Sequence, residues 1–141
     1  MTPKTLIPVD ESETTQRTIQ AVIANQELIS RDIILLHVVD VHLIQRLLPD
    51  MQKQMVYDSS EKSGNRILEK LAKPFQEAGF NLTLLLELGT PGDAIRKVVE
   101  EQNIQLVIIG RHVGGGKLLD VMFGSVANHI VHSVKCPVLL F

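Results

Sequence analysis

Aromatic residues are scarce in this chain, with no Trp, one Tyr and four Phe among 141 residues. That scarcity removes the stacking platforms on which single-stranded nucleic acids are held. A charge excess is missing as well. Lys and Arg number 14 against 16 Asp and Glu, a net charge of −2, which leaves no basic surface to grip a phosphodiester backbone. Nucleic acid is therefore set aside as a partner. The lone Cys136 can build neither an intrachain disulfide nor a cysteine metal cluster. It reads as a small apolar packing residue suited to a reducing compartment, not as a redox thiol. No apolar run approaches the roughly 20 residues that a membrane-crossing helix needs. The opening MTPKTLIPVDESE breaks its short apolar patch at Pro8 and with acid, unlike a secretory leader. These absences lead to the expectation of a cytoplasmic protein with no membrane partner.

What the chain does contain is a regular alternation. Apolar runs of strand length, rich in Ile, Val and Leu, fall at residues 5–9, 33–39, 82–86, 106–109 and 138–141, and runs without polar interleaving suit strands covered on both faces. Helical patterns separate them. Residues 13–28 place Ile19, Val22 and Ile23 on one face behind Ser12 as N-cap, and residues 59–78 carry Ile67, Leu68, Leu71, Ala72 and Phe75 up to Gly79. Pro74 is expected to kink or shorten that second helix. A third helix is predicted over 92–102, with Ala94, Ile95, Val98 and Val99 inward. A fourth should follow Gly124 and end near Ser133, with Val126, Ile130 and Val131 as its apolar positions. Strand and helix alternating throughout predict an α/β fold, one domain over residues 1–141, with a parallel sheet and helices on both faces. Residues 40–58 interrupt the scheme: apolar but broken by Pro49, they read as a short helix covering the sheet edge or a flap over a ligand.

Ligands of open α/β sheets sit beyond the carboxyl ends of the strands, where strand order reverses. Two strand ends carry unusual residues: Pro8-Val9-Asp10-Glu11-Ser12 after the first strand, and Gly110 onward after the fourth. The stretch LVIIGRHVGGGKLLDVMFGS joins a buried strand, a glycine-rich loop and a helix start at Gly124-Ser125. Bared backbone N–H groups and the helix dipole favour an anion there. Known phosphate grips do not fit. A Walker A loop would need Gly at Arg111 and a hydroxyl at Leu118, and GxGxxG would need its last Gly at Leu119.

A different spacing does fit: Gly114, nine residues, then Gly124-Ser125, with Gly110 shortly before. Together with the opening LIPVDES, the segments LLHVVD and GTPGDAI, and the ending CPVLLF, this pattern resembles the universal stress protein family along essentially the whole chain. The resemblance implies a Rossmann-like five-stranded parallel sheet of order 3-2-1-4-5 and a homodimer paired through the last strand, residues 138–141. It also implies a site for ATP, or for AMP or ADP, with Mg2+ carried on the phosphates. Three residues, Arg111, His112 and Val113, separate Gly110 from Gly114 where the family signature has two. Either the loop holds one extra residue and Gly114 acts as the second glycine, or Val113 stands in that place.

By the same resemblance Pro8 and Val9 line an adenine pocket, Asp10 lies near the nucleoside, and Val38 contributes an adenine contact. Gly110 and Gly114 let the loop close round ribose and phosphates, while the N–H groups of Ser125 and Val126 and the Ser125 hydroxyl hold the terminal phosphate. His112 is a further candidate contact with ribose or phosphate, and Arg111 and Lys117 are the cations best placed to neutralise phosphate charge. Each residue also has a plainer reading. Asp10 is a helix-cap carboxylate, Val38 core, the glycines a tight turn and Ser125 an N-cap. His37, inside a strand, reads as a hydrogen-bonded core residue; His129 and His132 share a helix face but lack a third metal ligand. Ser125 has no neighbouring base in sequence, and no acid pair or metal cluster suggests catalysis. The expected activity is that of a nucleotide-responsive regulatory or stress-protection module read by an unknown protein partner. A nucleotide-free dimeric scaffold and a slow ATPase are the alternatives.

Overall fold

A computed structural model describes residues 3–110 and 125–141. Five strands, β1 (Lys4–Pro8), β2 (Asp32–Asp40), β3 (Asn81–Gly89), β4 (Ile104–Ile109) and β5 (Val138–Leu140), form one parallel sheet in the order β3-β2-β1-β4-β5. The central strands are apolar on both faces because both are covered. Ile7, Ile33, Leu35 and Ile108 face one layer; Leu6, Ile34, Leu36, Val107 and Ile109 face the other. Helices α1 (Glu13–Ala24) and α3 (Asp50–Glu77) close the first core with Ile19, Val22, Leu68, Leu71 and Phe75. Helices α4 (Pro91–Glu101) and α5 (Ser125–Ser133) close the second with Ile95, Val98, Val99 and Ile130.

Helix boundaries differ from the sequence expectation where side chains intervene. The helix predicted to reach residue 28 ends at Ala24, where Asn25 leaves helical backbone (φ −111°, ψ 27°) and its Nδ2 caps the Ala21 carbonyl at 2.8 Å; a short 3-10 turn, Gln26–Leu28, follows. Residues 40–58 become a helix α2 (Val41–Leu47), started by the Asp40 carboxylate on the His42 N–H, and then the first turns of α3. Pro49, read as a break, sits at the N-cap of α3, outside the helix, where a proline costs no internal hydrogen bond.

Pro74 does not shorten α3, which continues to Glu77. A Schellman closure holds the last turn. Gly79, at φ 85°, donates to Gln76 O at 3.1 Å, and Phe80 N–H reaches back to Phe75 O at 3.0 Å. The rings of Phe75 and Phe80 meet edge to face at 5.5 Å, the apolar contact that accompanies this cap. Arg31 donates to the Ala78 carbonyl at 3.0 Å and lies over the Phe80 ring, which ties the start of β2 to the turn before β3.

Candidate functional site

Strand order reverses between β1 and β4. The chain leaves β1 toward β2 on one side and, after β3, crosses to β4 on the other. At the carboxyl end of that seam lies a cavity of about 340 Å³, a size typical of small-molecule sites, which run roughly 300–1,000 Å³. Its floor is the end of β1, Pro8 to Asp10, beside Val38 of β2 and Gly110 after β4. Thr14, Thr15 and Thr18 of α1 form one wall; Pro91 and Ile95 of α4 with Ala127 and Ile130 of α5 form the other. A more open depression of about 420 Å³ lies at the opposite end of the sheet, where strands begin, around Pro3, Leu28, Ser30, Gln105 and Pro137.

Asp10 organises the floor. Its Oδ1 accepts from the Ser12 N–H at 2.8 Å, the Ser12 hydroxyl at 2.5 Å and the Thr15 hydroxyl at 2.8 Å, while its own N–H donates to Thr15 Oγ1 at 3.1 Å. Ser12 in turn caps α1 by accepting from the Thr15 N–H. The Asp10 carboxyl is penalised by partial burial. Donors from Ser12 and Thr15 and the field of His37 outweigh that penalty, so its pKa lies below the ordinary 3.8. A depressed folded pKa stabilises the fold above the unfolded value, and that contribution disappears as pH falls through the lower, folded value. Thermal melts between about pH 6 and about pH 2 should therefore show an acid loss that is larger in the wild type than in Asp10→Asn, which is less stable near neutrality. Parallel melting curves for the two proteins across that range contradict the account.

The next peptide is fixed from β2. Val9 N–H donates to Leu36 O at 2.8 Å, and the Val9 carbonyl accepts from His37 Nδ1 at 2.9 Å. His37 is thus hydrogen-bonded, as its place in a strand suggested, but it also borders the cavity. Gly110 has a different reason from the turn expected of it. Its φ is not positive; a Cβ there would strike the Thr18 hydroxyl and lie 2.5 Å from Thr14 Cγ2, so glycine is what lets α1 close on the end of β4.

Pro8, Val9, Asp10, Val38 and Gly110 thus come together around one cavity. Ser125 is the first residue of α5, with Val126 next. Arg111, His112, Gly114, Lys117 and Gly124 lie outside the described residues. Sequence reasoning missed the threonine wall, although Thr15 and Thr18 were visible as buried-face hydroxyls one turn from Ile19 and Val22, and it missed Pro91 and Ala127, which only folding brings near. His129 does not approach this floor: its ring packs against Gly92, with Nε2 4.0 Å from Asp93 Oδ1. No group of three or more His, Cys, Asp or Glu among the described residues could hold a metal ion. Cys136 packs partly buried against the α4–α5 core, and burial pushes its thiol pKa up.

The model of the universal stress protein family matches residues 1–141. The chain belongs to the universal stress protein family. Universal stress protein MJ0577 of Methanocaldococcus jannaschii is 26% identical over 155 residues, covering 99% of this chain and 94% of that protein. Universal stress protein Sll1388 of Synechocystis is 24% identical, covering 97% and 96%. The solved structure of MJ0577 superposes with a TM-score of 0.83 at 27% identity, over 99% of this chain and 95% of that one. A universal stress protein from Archaeoglobus fulgidus solved in complex with dAMP shares the fold, at a TM-score of 0.60 and 18% identity over 99% of this chain and 97% of that one. No helix among the described residues is long and apolar enough to cross a membrane.

Proposed function

We propose that this universal stress protein binds ATP, or its mono- and diphosphate, and works as a cytoplasmic nucleotide-responsive regulatory or stress-protection module rather than as an enzyme. The observation that carries the proposal is the cavity at the strand-order reversal, with an apolar floor at Pro8, Val9 and Val38, a carboxylate at Asp10 and Gly110 at its rim. Adenine takes the apolar floor, Asp10 meets the nucleoside, and the phosphates extend toward Gly114, Gly124 and the α5 start at Ser125 and Val126. Arg111 and His112 supply nearby polar contacts, and Mg2+ accompanies the phosphates. The solved relative holding dAMP and another holding cAMP support an adenine nucleotide as the ligand class.

Mass spectrometry of ligand released from freshly purified protein, followed by calorimetric titration with ATP, ADP and AMP with and without Mg2+, tests this. Gly124→Val should abolish binding, because a branched side chain would fill the phosphate approach. ATP affinity equal to the parent's places the phosphates elsewhere. The extra residue between Gly110 and Gly114 favours a second reading, a nucleotide-free scaffold, for which all three titrations are silent. Slow ATP hydrolysis would be incidental to either.

The same proposal includes a homodimer through β5 and Phe141. Val138, Leu139 and Leu140 form an apolar edge strand, Leu139 is 37% exposed, and a second copy would cover the unpaired edge. Leu140→Asp should yield a monomer, or a poorly folded chain, in solution scattering; an unchanged dimer mass removes the strand from that role.

A further inference from the structure

Neighbouring strands are joined by residues that alternate in direction, each turning its N–H and C=O to one side and its successor to the other. Val9 N–H donates to Leu36 O, so Leu36 faces β1, His37 faces β3 and Val38 faces β1 again. The next rung of the β1–β2 ladder would be the Val38 N–H on the Val9 carbonyl. That rung is not made: the carbonyl accepts from the His37 imidazole instead, at 2.9 Å. A carbonyl only accepts, so Nδ1 carries the proton. The ring is wedged from the other side by α3, where a Cβ on Gly64 would come 3.0 Å from His37 Cδ2. Val9, His37 and Val38 all border the cavity.

We infer that His37 is a positioning residue that ends the β1–β2 ladder one rung early, and so keeps the Val38 N–H open to the cavity as a donor for an acceptor nitrogen on the nucleobase. This rests on the nucleotide reading above. Among the described residues the Val38 N–H has no partner, and a strand N–H that faces a cavity is costly unless water or a ligand takes it. The His37 side chain supplies what the Val9 carbonyl needs and leaves the amide for the ligand.

Removing the imidazole donor has opposite effects on binding and on the sheet. In His37→Leu the Val9 carbonyl loses its partner and the Val38 N–H closes on it, adding a rung. In His37→Asn, the side-chain Nδ2 stands where Nδ1 stood and keeps the ladder open. Amide hydrogen exchange on the protein alone should show Val38 unprotected in the wild type and in His37→Asn, and protected in His37→Leu. ATP should bind His37→Leu about tenfold more weakly and His37→Asn near the parental level. Inorganic triphosphate, which has no base, should bind all three alike. A purely structural histidine would lower stability in both variants without this base-dependent split.

A protected Val38 amide in the wild type overturns the inference whatever the variants do, and so does equal ATP affinity in the wild type and His37→Leu. Failure of the wild type to bind ATP, ADP or AMP overturns instead the nucleotide reading; the exchange rates, measured without ligand, keep the two failures distinct.

Discussion

Phe75→Ala should lower stability by about 3–5 kcal/mol, the usual cost of emptying a core aromatic position. Against a total of roughly 5–15 kcal/mol for a domain of ordinary stability, that would leave the protein close to unfolding. Phe75 is fully buried and, among the described residues, is the largest side chain so enclosed. Its backbone carbonyl receives the Phe80 N–H of the Schellman closure and its ring meets the Phe80 ring. Truncation therefore opens a cavity between α3 and the sheet and removes the apolar contact that secures the last turn beyond Pro74. Urea unfolding followed by circular dichroism measures it. Met55→Ala, at 74% exposure, is the control and should change stability by less than about 0.5 kcal/mol. Similar midpoints for the two variants contradict the assignment of Phe75 as the anchor of α3.

Gly110→Val should cost about 1–3 kcal/mol as an overpacked site and, on the function proposed above, remove nucleotide binding as well. The first Cβ already collides with the Thr18 hydroxyl and Thr14 Cγ2, and the Thr14 backbone oxygen stands 3.2 Å away. The Thr14 backbone cannot step aside by a rotamer change, so α1 must tilt off the end of β4, carrying with it the threonine wall of the cavity. Gly110→Ala should show a smaller version of both losses, because it adds the Cβ without the branch. Parental stability in Gly110→Ala, measured by urea midpoint, would mean that α1 and β4 do not meet as closely as this packing requires.

Five strands, the two-sided burial of the central ones and the helices covering them were legible in the sequence, since unbroken Ile, Val and Leu runs between amphipathic segments admit few other arrangements. Ser12 as cap and Gly79 as stop were legible for the same local reason. Helix lengths were less so. Asn25 acts through a side-chain hydrogen bond to a helix carbonyl and Pro49 through its fixed φ at an N-cap, neither of which a hydrophobic period reveals, and the polar start of α3, with Met51 and Met55 exposed, offers no buried face to read. For the site, Pro8, Asp10 and Gly110 could be picked out as strand-end residues, and Val38 by resemblance. Thr15 and Thr18 were legible only as hydroxyls on the buried face of α1, not as a wall of the cavity, and the part played by His37 was not legible.

By itself the sequence determined the α/β class, the alternation of elements and the strand ends where chemistry would gather, because these follow from periodicity and backbone propensity acting over a few residues. Only the tertiary structure decided that Thr14 and Thr18 press on Gly110, that Gly64 abuts His37, and that the imidazole takes the Val9 carbonyl from the Val38 amide. Those contacts join residues far apart in the chain, and which of two competing donors reaches one carbonyl depends on how the sheet and helices pack, a quantity that no local pattern encodes.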